Sequence, residues 1–325
     1  MAPVPGLESS GMIGWTQLLE QVLKSLEGTE DGVMKRSTSL IAVACIGAVF
    51  AFVMLMGIAQ DKDAKPAKKD FIPSPVFSPV YPPLPHHFCD VYTIQILCQA
   101  PKGAFKRAIM QPLEQAGDED LFVMIVAWTQ DVEEQGYNVH EIAINAPVKW
   151  KDKVGNTTLV EYIDSDMGLI AGREVYGWPK KMADITWTKT ATGWMVIANK
   201  MRDQGSVPLM KLEYKASKSA PDVKWPNMGP TLLVRRVPNA SPTSLSFNQI
   251  VCVGCTNMPQ ASAPLVAPAG PKDSKGTATV QFFDGPHDPL TFLGPIKVLD
   301  AKLSVIEGKM PFGLGLGEVL SEWRE

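Results

Sequence analysis

Two adjacent lysines, Lys180 and Lys181, are the residues of this chain best suited to amine chemistry. They end the stretch GREVYGWPKK, residues 172–181, directly behind Pro179. An ordinary lysine is protonated at neutral pH and cannot attack a carbonyl, but burial in an apolar pocket or a nearby cation lowers its pKa. In a regular strand the two side chains point to opposite faces, whereas a turn after Pro179 brings them together. The pair is therefore either a solvated surface corner or an activated amine.

Four charged residues are candidates for contacts with a substrate. Arg173 and Glu174 belong to the same stretch as the lysine pair. Arg235 and Arg236 are adjacent in TLLVRRV, a segment typical of a β-strand, so one of the two can face inward while the other is exposed. The alternative is that both arginines are exposed or paired at a sheet edge.

Several other kinds of site are excluded. The chain of 325 residues has a formal net charge of −3 and no basic stripe with interleaved aromatic residues, which argues against nucleic-acid binding. There is no Gly-rich phosphate loop, nucleophile elbow or HExxH motif. Cys252 and Cys255 form a lone CxxC without the further ligands that zinc requires, and we interpret them as core cysteines of an apolar strand. We expect neither a metal nor a cofactor.

The N-terminal part of the chain has the composition of a membrane anchor. Residues 1–36 contain WTQLLEQVLKSLEG, whose apolar residues have the spacing of an amphipathic helix. Residues 37–60 carry no charge and are long enough to cross about 30 Å of hydrocarbon as one helix. Residues 61–87 are charged and then rich in proline, which favours an extended spacer. The pattern predicts a single-pass membrane protein, and the lysines after the span weakly favour the cytoplasm-equivalent side for the large domain.

Residues 88–325 are rich in short segments typical of β-strands. Nine of them are β-branched or aromatic and often alternate in polarity: LFVMIVAWT, EIAINAPVKW, TTLVEYI, DITWTKT, GWMVIANKM, TLLVRRV, LSFNQIVCV, TATVQFF and KLSVIEGK. The turn in TKTATGWMV predicts a hairpin. Helical periodicity is confined to KGAFKRAIMQPL and GLGEVLSEW. These patterns predict one α+β domain with a mostly antiparallel sheet.

This segment also resembles a known family. GREVYGWPKKMADI is similar to the signature of the acetoacetate decarboxylase family, in which G-R-E is followed after a short gap by P-K-K. GYNVHEIAINAPVKW resembles the family's segment in which a pocket glutamate precedes Pro-Val, and Glu141 holds that position. The resemblance covers most of residues 90–325. It implies a barrel-like acetoacetate decarboxylase-like domain.

The resemblance implies Schiff-base chemistry. Lys180 would be the nucleophile that forms an imine with a β-keto acid or a related carbonyl compound, and Lys181 would be the neighbour that lowers its pKa. A lysine activated by a cationic neighbour is the device for which acetoacetate decarboxylase is itself the standard example. Glu141 would orient the substrate or move a proton.

Two departures from the family leave a second hypothesis open. The arginine that the family places in the strand before its first helix is absent from CDVYTIQILCQ, and Met124 takes the place of a second pocket acid. The first hypothesis is a membrane-tethered decarboxylase-like enzyme. The second is an inactive family member that serves as a subunit of a larger membrane complex. A homo-oligomer is compatible with both hypotheses.

Overall fold

The computed structural model describes residues 78–81, 88–117, 120–132, 138–202, 205–218, 223–241, 244–255, 274–285, 287–309 and 317–325. The predicted amphipathic helix and membrane span lie outside these residues. Within them, no helix is both long and apolar enough to cross a bilayer. The described part of the chain is dominated by strands.

Sixteen strands are formed by the described residues. They are β1 (Phe88–Gln99), β2 (Glu114–Gln115), β3 (Leu121–Val132), β4 (Val139–Trp150), β5 (Lys153–Ile163), β6 (Lys180–Met182), β7 (Asp184–Lys189), β8 (Gly193–Arg202), β9 (Gly205–Ala216), β10 (Thr231–Val237), β11 (Phe247–Val253), β12 (Ser274–Phe282), β13 (Asp284–Gly285), β14 (Asp288–Pro289), β15 (Lys297–Lys309) and β16 (Glu318–Arg324). All nine strand segments predicted from the sequence lie in this set. The predicted hairpin joins β7 to β8, where Thr190 N donates to Gly193 O at 2.9 Å.

β13 and β14 form a separate two-stranded sheet, and the other fourteen strands build one large mixed sheet that stays open. Its order is β16-β11-β10-β5-β4-β3-β1-β15-β12-β9-β8-β7, with β2 on β4 and β6 on β5. The contacts of β5 with β6 and with β10 are parallel, and the other contacts in the sheet are antiparallel. The barrel-like closure that we expected is absent among the described strands, because β7 and β16 end the sheet. Both edge strands are largely solvent-exposed, as suits unpaired edges.

Helices are short. One α-helix, α1 (Asp166–Ala171), begins at Ser165, whose Oγ accepts a hydrogen bond from Gly168 N. It continues into a π-helical turn, Gly172–Tyr176. Two 3-10 turns cover Phe105–Arg107 and Leu290–Leu293.

Both helices predicted from periodicity were wrong. KGAFKRAIMQPL forms only the 3-10 turn, because Gly103 adopts a left-handed conformation at φ 80° and Pro112 has no amide hydrogen for a helix. Phe105 in this turn and Ile109 just after it still belong to the core. GLGEVLSEW contributes β16, whose backbone pairs with the edge of β11. Tertiary pairing outweighs helical periodicity in so short a segment.

The interpretation of the CxxC motif also needs correction. Cys252 is buried on β11 as expected, but it forms a disulfide with Cys255. Gly254 follows the strand at φ 89° and reverses the chain, which brings the two Cα atoms to 5.7 Å. That separation suits a disulfide.

The main hydrophobic core lies on one face of the sheet. It includes Phe105, Phe122, Tyr162, Tyr214 and Leu293. The opposite face of β1, β3 and β4 carries a smaller cluster and the residues that surround Lys180. The pairing of β5 with β6 decides which lysine faces which side.

Candidate active site

Lys180 and Lys181 lie on opposite faces of β6. The parallel register pairs Lys180 with Glu161 and Lys181 with Tyr162. Tyr162 belongs to the main core, and Lys181 lies on its side of the sheet. Lys180 and Lys181 thus lie in a regular strand, and the turn that would bring the two ammonium groups together is not formed. The structure does not join Lys181 to Lys180, so the proposed pKa-lowering role of Lys181 receives no support from this geometry.

The Lys180 ammonium is bound by two carboxyl groups. Its Nζ donates to Glu141 Oε1 and lies 3.2 Å from Glu161 Oε1. Glu141 is on β4 and Glu161 on β5, so neighbouring strands supply the two acids. Lys180 is 9% exposed and Glu161 is 6% exposed. The structure thus brings together Lys180 and Glu141, as the sequence predicted, and adds Glu161.

The segment before β6 fixes the lysine backbone. Gly177 adopts φ 84°, and its N–H donates to Gly172 O at 3.1 Å, which ends the π-helical turn. Pro179 follows, and its carbonyl accepts from Glu161 N at 3.2 Å. Trp178 Nε1 donates to Thr158 Oγ1 at 3.1 Å, and the Lys180 Nζ lies 5.9 Å from the Trp178 ring centroid. These contacts present Lys180 to β5 in one orientation.

Gly172 lies against the aliphatic part of Lys180. A Cβ atom at this position would meet Lys180 Cδ and Cε at 2.6 Å. A residue with a side chain would therefore displace the lysine. This close approach explains why the first position of GREVYGWPKK holds glycine.

A small cavity opens at Lys180. Its volume is about 50 Å³, roughly a third of the 150 Å³ that accommodates benzene in an engineered protein cavity. The lining is mostly apolar and comprises Phe88, Thr129, Val139, Glu141, Ile163, Met167, Gly168, Ala171, Gly172, Tyr176, Trp178 and Lys180. Among the described residues that line it, Lys180 is the only base. A molecule of a few heavy atoms suits this space.

Burial and charge act on Lys180 in opposite directions. Burial lowers the pKa of the Lys180 ammonium, but Glu141 and then Glu161 raise it, and the net effect is a raised pKa. Burial raises the pKa of Glu161 to about 8, although the nearby Lys180 ammonium lowers it in part. The resting site therefore holds a protonated lysine. A proton must leave Lys180 before it can act as a nucleophile.

The other predicted contact residues do not line this cavity. Arg173 donates to Lys180 O at 3.1 Å from outside the site. Arg235 donates to Glu174 O at 2.6 Å and to Gln249 Oε1 at 2.8 Å, so it holds the π-helical turn. Arg236 donates to Asn248 Oδ1 and forms an ion pair with Glu325.

Glu174 is exposed and accepts a hydrogen bond from Tyr81 Oη at 3.3 Å. Arg173 and Arg235 thus contact backbone carbonyl groups around the site, Glu174 contacts Tyr81, and none of the three lines the cavity.

Met124 does not line the cavity, although the sequence comparison put it in the place of a second pocket acid. It is fully buried in the main core, opposite Ile144, and thus faces away from Glu141. On β3, Ala127 is the register partner of Glu141, and Thr129 lines the cavity. Glu161 is the second acid that the sequence analysis missed. Its signal was a lone carboxyl residue in the apolar strand TTLVEYI.

Comparisons with known proteins agree with this architecture. The sequence profile of the family described as acetoacetate decarboxylase matches residues 73–321. Acetoacetate decarboxylase 3 of Mesorhizobium japonicum is 31% identical over 111 residues, which cover 34% of this chain and 42% of that protein. The match thus spans less than half the length of this relative.

Solved structures show the same fold at low sequence identity. Acetoacetate decarboxylase from Legionella pneumophila superposes with a TM-score of 0.59 at 17% identity, covering 80% of this chain and 94% of the other. The enduracididine biosynthesis enzyme MppR, complexed with the condensation product of pyruvate and imidazole 4-carboxaldehyde, has a TM-score of 0.59 at 16% identity. That match covers 79% of this chain and 99% of MppR.

Proposed function

This chain belongs to the acetoacetate decarboxylase family, and from that premise we propose that it is a Schiff-base enzyme whose Lys180 forms an imine with a small carbonyl compound. The observation that carries the proposal is the contact of the buried Lys180 ammonium with Glu141 and Glu161 beside a small, mostly apolar cavity. A buried lysine with two acids in contact has both a nucleophile and groups that accept and return protons.

The arrangement supports a sequence of proton transfers. The Lys180 ammonium gives a proton to the Glu141 carboxylate, and the neutral amine attacks the carbonyl carbon to form a carbinolamine. The proton returns to the departing hydroxyl, water leaves, and a protonated imine remains. The imine carries the positive charge that the ammonium carried before, so the pairing with Glu141 persists. Loss of a group or a proton from the α-carbon then gives an enamine. The α-carbon of the enamine takes up a proton or an electrophile, which regenerates the protonated imine, and water hydrolyses this imine to the product and Lys180.

The charge of the cavity bears on the substrate. A β-keto acid would bring its carboxylate beside the Glu141 carboxyl group, and among the described lining residues only Lys180, which is already paired with Glu141, is basic. Because like charges in a poorly solvated site repel strongly, we propose that neutral carbonyl compounds bind better than β-keto acids. For a neutral substrate the enamine arises by removal of an α-proton, as in aldol-type and dehydration reactions. For a β-keto acid it arises by loss of CO₂.

Borohydride trapping tests this function. The full-length protein is incubated with a small neutral ketone, a small aldehyde or acetoacetate, reduced with borohydride and examined by intact mass. We expect a covalent adduct with at least one of the neutral compounds and a smaller yield with acetoacetate. If no carbonyl compound of either class yields an adduct, the enzyme function is refuted and the inactive-subunit alternative is favoured.

We further propose that residues 37–60 anchor the protein in a membrane, where it acts alone, as a homo-oligomer or within a larger complex. The support is the uncharged apolar run and the proline-rich spacer that follows it. Alkaline carbonate extraction of membranes that contain the full-length protein should leave it in the pellet, and release into the supernatant would refute an integral anchor. Native sizing in mild detergent then separates a homo-oligomer from a complex with other proteins.

A further inference from the structure

A second and larger cavity lies on the other face of β6. Its volume is about 400 Å³, within the range of small-molecule binding sites. The 3-10 turns Phe105–Arg107 and Leu290–Leu293 border it together with β5 and β6. Lys181 lines this cavity, whereas Lys180 lines the first. The two neighbouring lysines therefore belong to separate sites.

Positive charge predominates in the second cavity. Arg107, Arg173 and Lys181 line it, and among the described lining residues Asp288 is the one acid. Lys181 forms an ion pair with Asp288 and donates to His287 O at 2.6 Å. The Asp288 side chain is fully buried and also accepts from Tyr162 Oη at 2.9 Å. The charge of Asp288 thus balances that of Lys181, and the other two cations of the lining, Arg107 and Arg173, give the cavity a net positive charge among its described residues.

Arg173 is held in position at the cavity. One of its guanidinium nitrogens, Nη1, donates to Lys180 O at 3.1 Å. A guanidinium group has five N–H donors, so this hydrogen bond orients the group and leaves most donors for another acceptor. Such a fork matches the two oxygens of a carboxylate or a phosphate. Arg107 presents a second guanidinium to the same space.

The remaining lining is apolar. Phe292 is 37% exposed, which is unusual for so large an apolar side chain. It lies with four aliphatic residues, Leu159, Val160, Leu290 and Leu293. Two arginines alone on a surface are most often only solvated. Here they share a cavity with an exposed aromatic ring, and an apolar surface with a few convergent charges is the usual composition of a ligand site.

We propose that this second cavity binds a small organic anion, in which a carboxylate or phosphate contacts Arg107 and Arg173 while an apolar body lies against Phe292. The cavity is roughly two and a half times the 150 Å³ that holds benzene, so a substituted ring or a short acyl chain fits. The proposal does not depend on Schiff-base chemistry at Lys180. Arg173 would contact both sites, since the guanidinium group that would bind the anion also donates a hydrogen bond to the backbone carbonyl of Lys180.

Calorimetric titration of the full-length protein tests the site. The probes are 3-phenylpropionate, its neutral amide, its amine counterpart and phenyl phosphate. We expect saturable one-to-one binding of at least one anion, with the amide and the amine at least tenfold weaker. The carboxylate and phosphate arms show which anion the arginines prefer. Failure of both anions to bind, or equal binding of the amide, would overturn the proposal.

Matched variants locate the binding. Arg107→Gln should weaken the binding of the anion at least tenfold, whereas Lys106→Gln, which removes the exposed neighbouring base outside the cavity, should leave it unchanged. Phe292→Ala should weaken it as well. Lys180→Ala should retain binding, because Lys180 faces the other cavity. If Arg107→Gln and Lys106→Gln bind the anion equally, or if Lys180→Ala abolishes binding, the site is not the one proposed.

Discussion

The Lys180 ammonium lies 3.2 Å from the carboxyl group of Glu161, its direct register partner on the adjacent parallel strand. This relationship follows from the pairing of β5 with β6, since residues opposite each other in a ladder share a face of the sheet. Glu161 on β5 thus supplies the second acid of the site, which the sequence comparison had looked for on β3. It also accounts for Lys180 being charged at rest, because Glu141 and Glu161 together outweigh the effect of burial.

Glu161→Gln should change how stability depends on pH. Burial raises the pKa of Glu161 from 4.5 to about 8, so the folded protein binds this proton more tightly than the unfolded chain. The free energy of unfolding should therefore fall as the pH rises from about 4.5 to about 8, by on the order of a few kcal/mol from this group. Because glutamine does not titrate, the free energy of unfolding of the variant should decrease less over this pH range.

Urea unfolding at pH 5 and pH 8 measures this difference. Glu114→Gln is a matched control, because it removes a carboxylate from an exposed ion pair with Lys149. The raised pKa of Lys180 affects stability only above about pH 10.5, outside the measured window. An unchanged pH dependence in Glu161→Gln would contradict the assignment of a raised pKa to Glu161.

Gly172→Ala should impair the site more than the fold. The new methyl group would lie 2.6 Å from Lys180 Cδ and Cε, so the lysine must move from its contacts with the two acids. We expect the rate of imine trapping to fall at least tenfold, while the free energy of unfolding falls by about 1–2 kcal/mol. Gly285→Ala is the control, since its nearest contact would be an ordinary 3.4 Å. Normal trapping in Gly172→Ala would show that the close approach to Lys180 is not needed.

Lys181 should contribute to the stability of the folded protein and not to imine formation at Lys180. Burial raises the pKa of Asp288, but the hydrogen bonds from Lys181 and Tyr162 outweigh burial, and the net effect is a lowered pKa. The carboxylate is therefore charged in the folded protein. Lys181→Met would leave this buried charge poorly compensated and should cost about 3 kcal/mol. Asp288→Asn in the same chain should recover part of that loss.

A double-mutant cycle on urea unfolding measures the coupling of Lys181 with Asp288. Imine trapping on the same proteins shows whether Lys181 also affects the chemistry. Additive stability changes would contradict the ion pair. A large loss of trapping in Lys181→Met, with a normal fold, would restore the sequence-based role of Lys181 as the activating neighbour.

Much of the fold was predictable, because strands in this chain carry their own signal. Alternating β-branched and aromatic residues located the nine predicted strands, and the turn residues located the hairpin. The two helices failed for a different reason: a short periodic segment has too little intrinsic preference to resist its surroundings, and pairing with β11 decided the state of GLGEVLSEW. The sequence did not predict the open sheet, because no local pattern shows that β7 and β16 do not pair with each other.

The candidate site was predictable in part. Lys180 and Glu141 followed from motifs, and the structure brings them into contact. Glu161 required the parallel register of β5 with β6, which is a long-range relationship. The register also separates Lys180 from Lys181, although the sequence allowed a turn that would join them. Arg235 contacts the π-helical turn because Gly177 allows close approach, which only the structure reveals.

The most direct test of the Schiff-base assignment is to identify the lysine that carries the adduct after borohydride reduction. The full-length protein is trapped with a small neutral ketone, digested and mapped by tandem mass spectrometry, beside Lys180→Ala and Lys181→Ala. The account predicts modification at Lys180 in the unaltered protein and in Lys181→Ala, and no adduct in Lys180→Ala. An adduct on Lys181, or one that persists in Lys180→Ala, would contradict it.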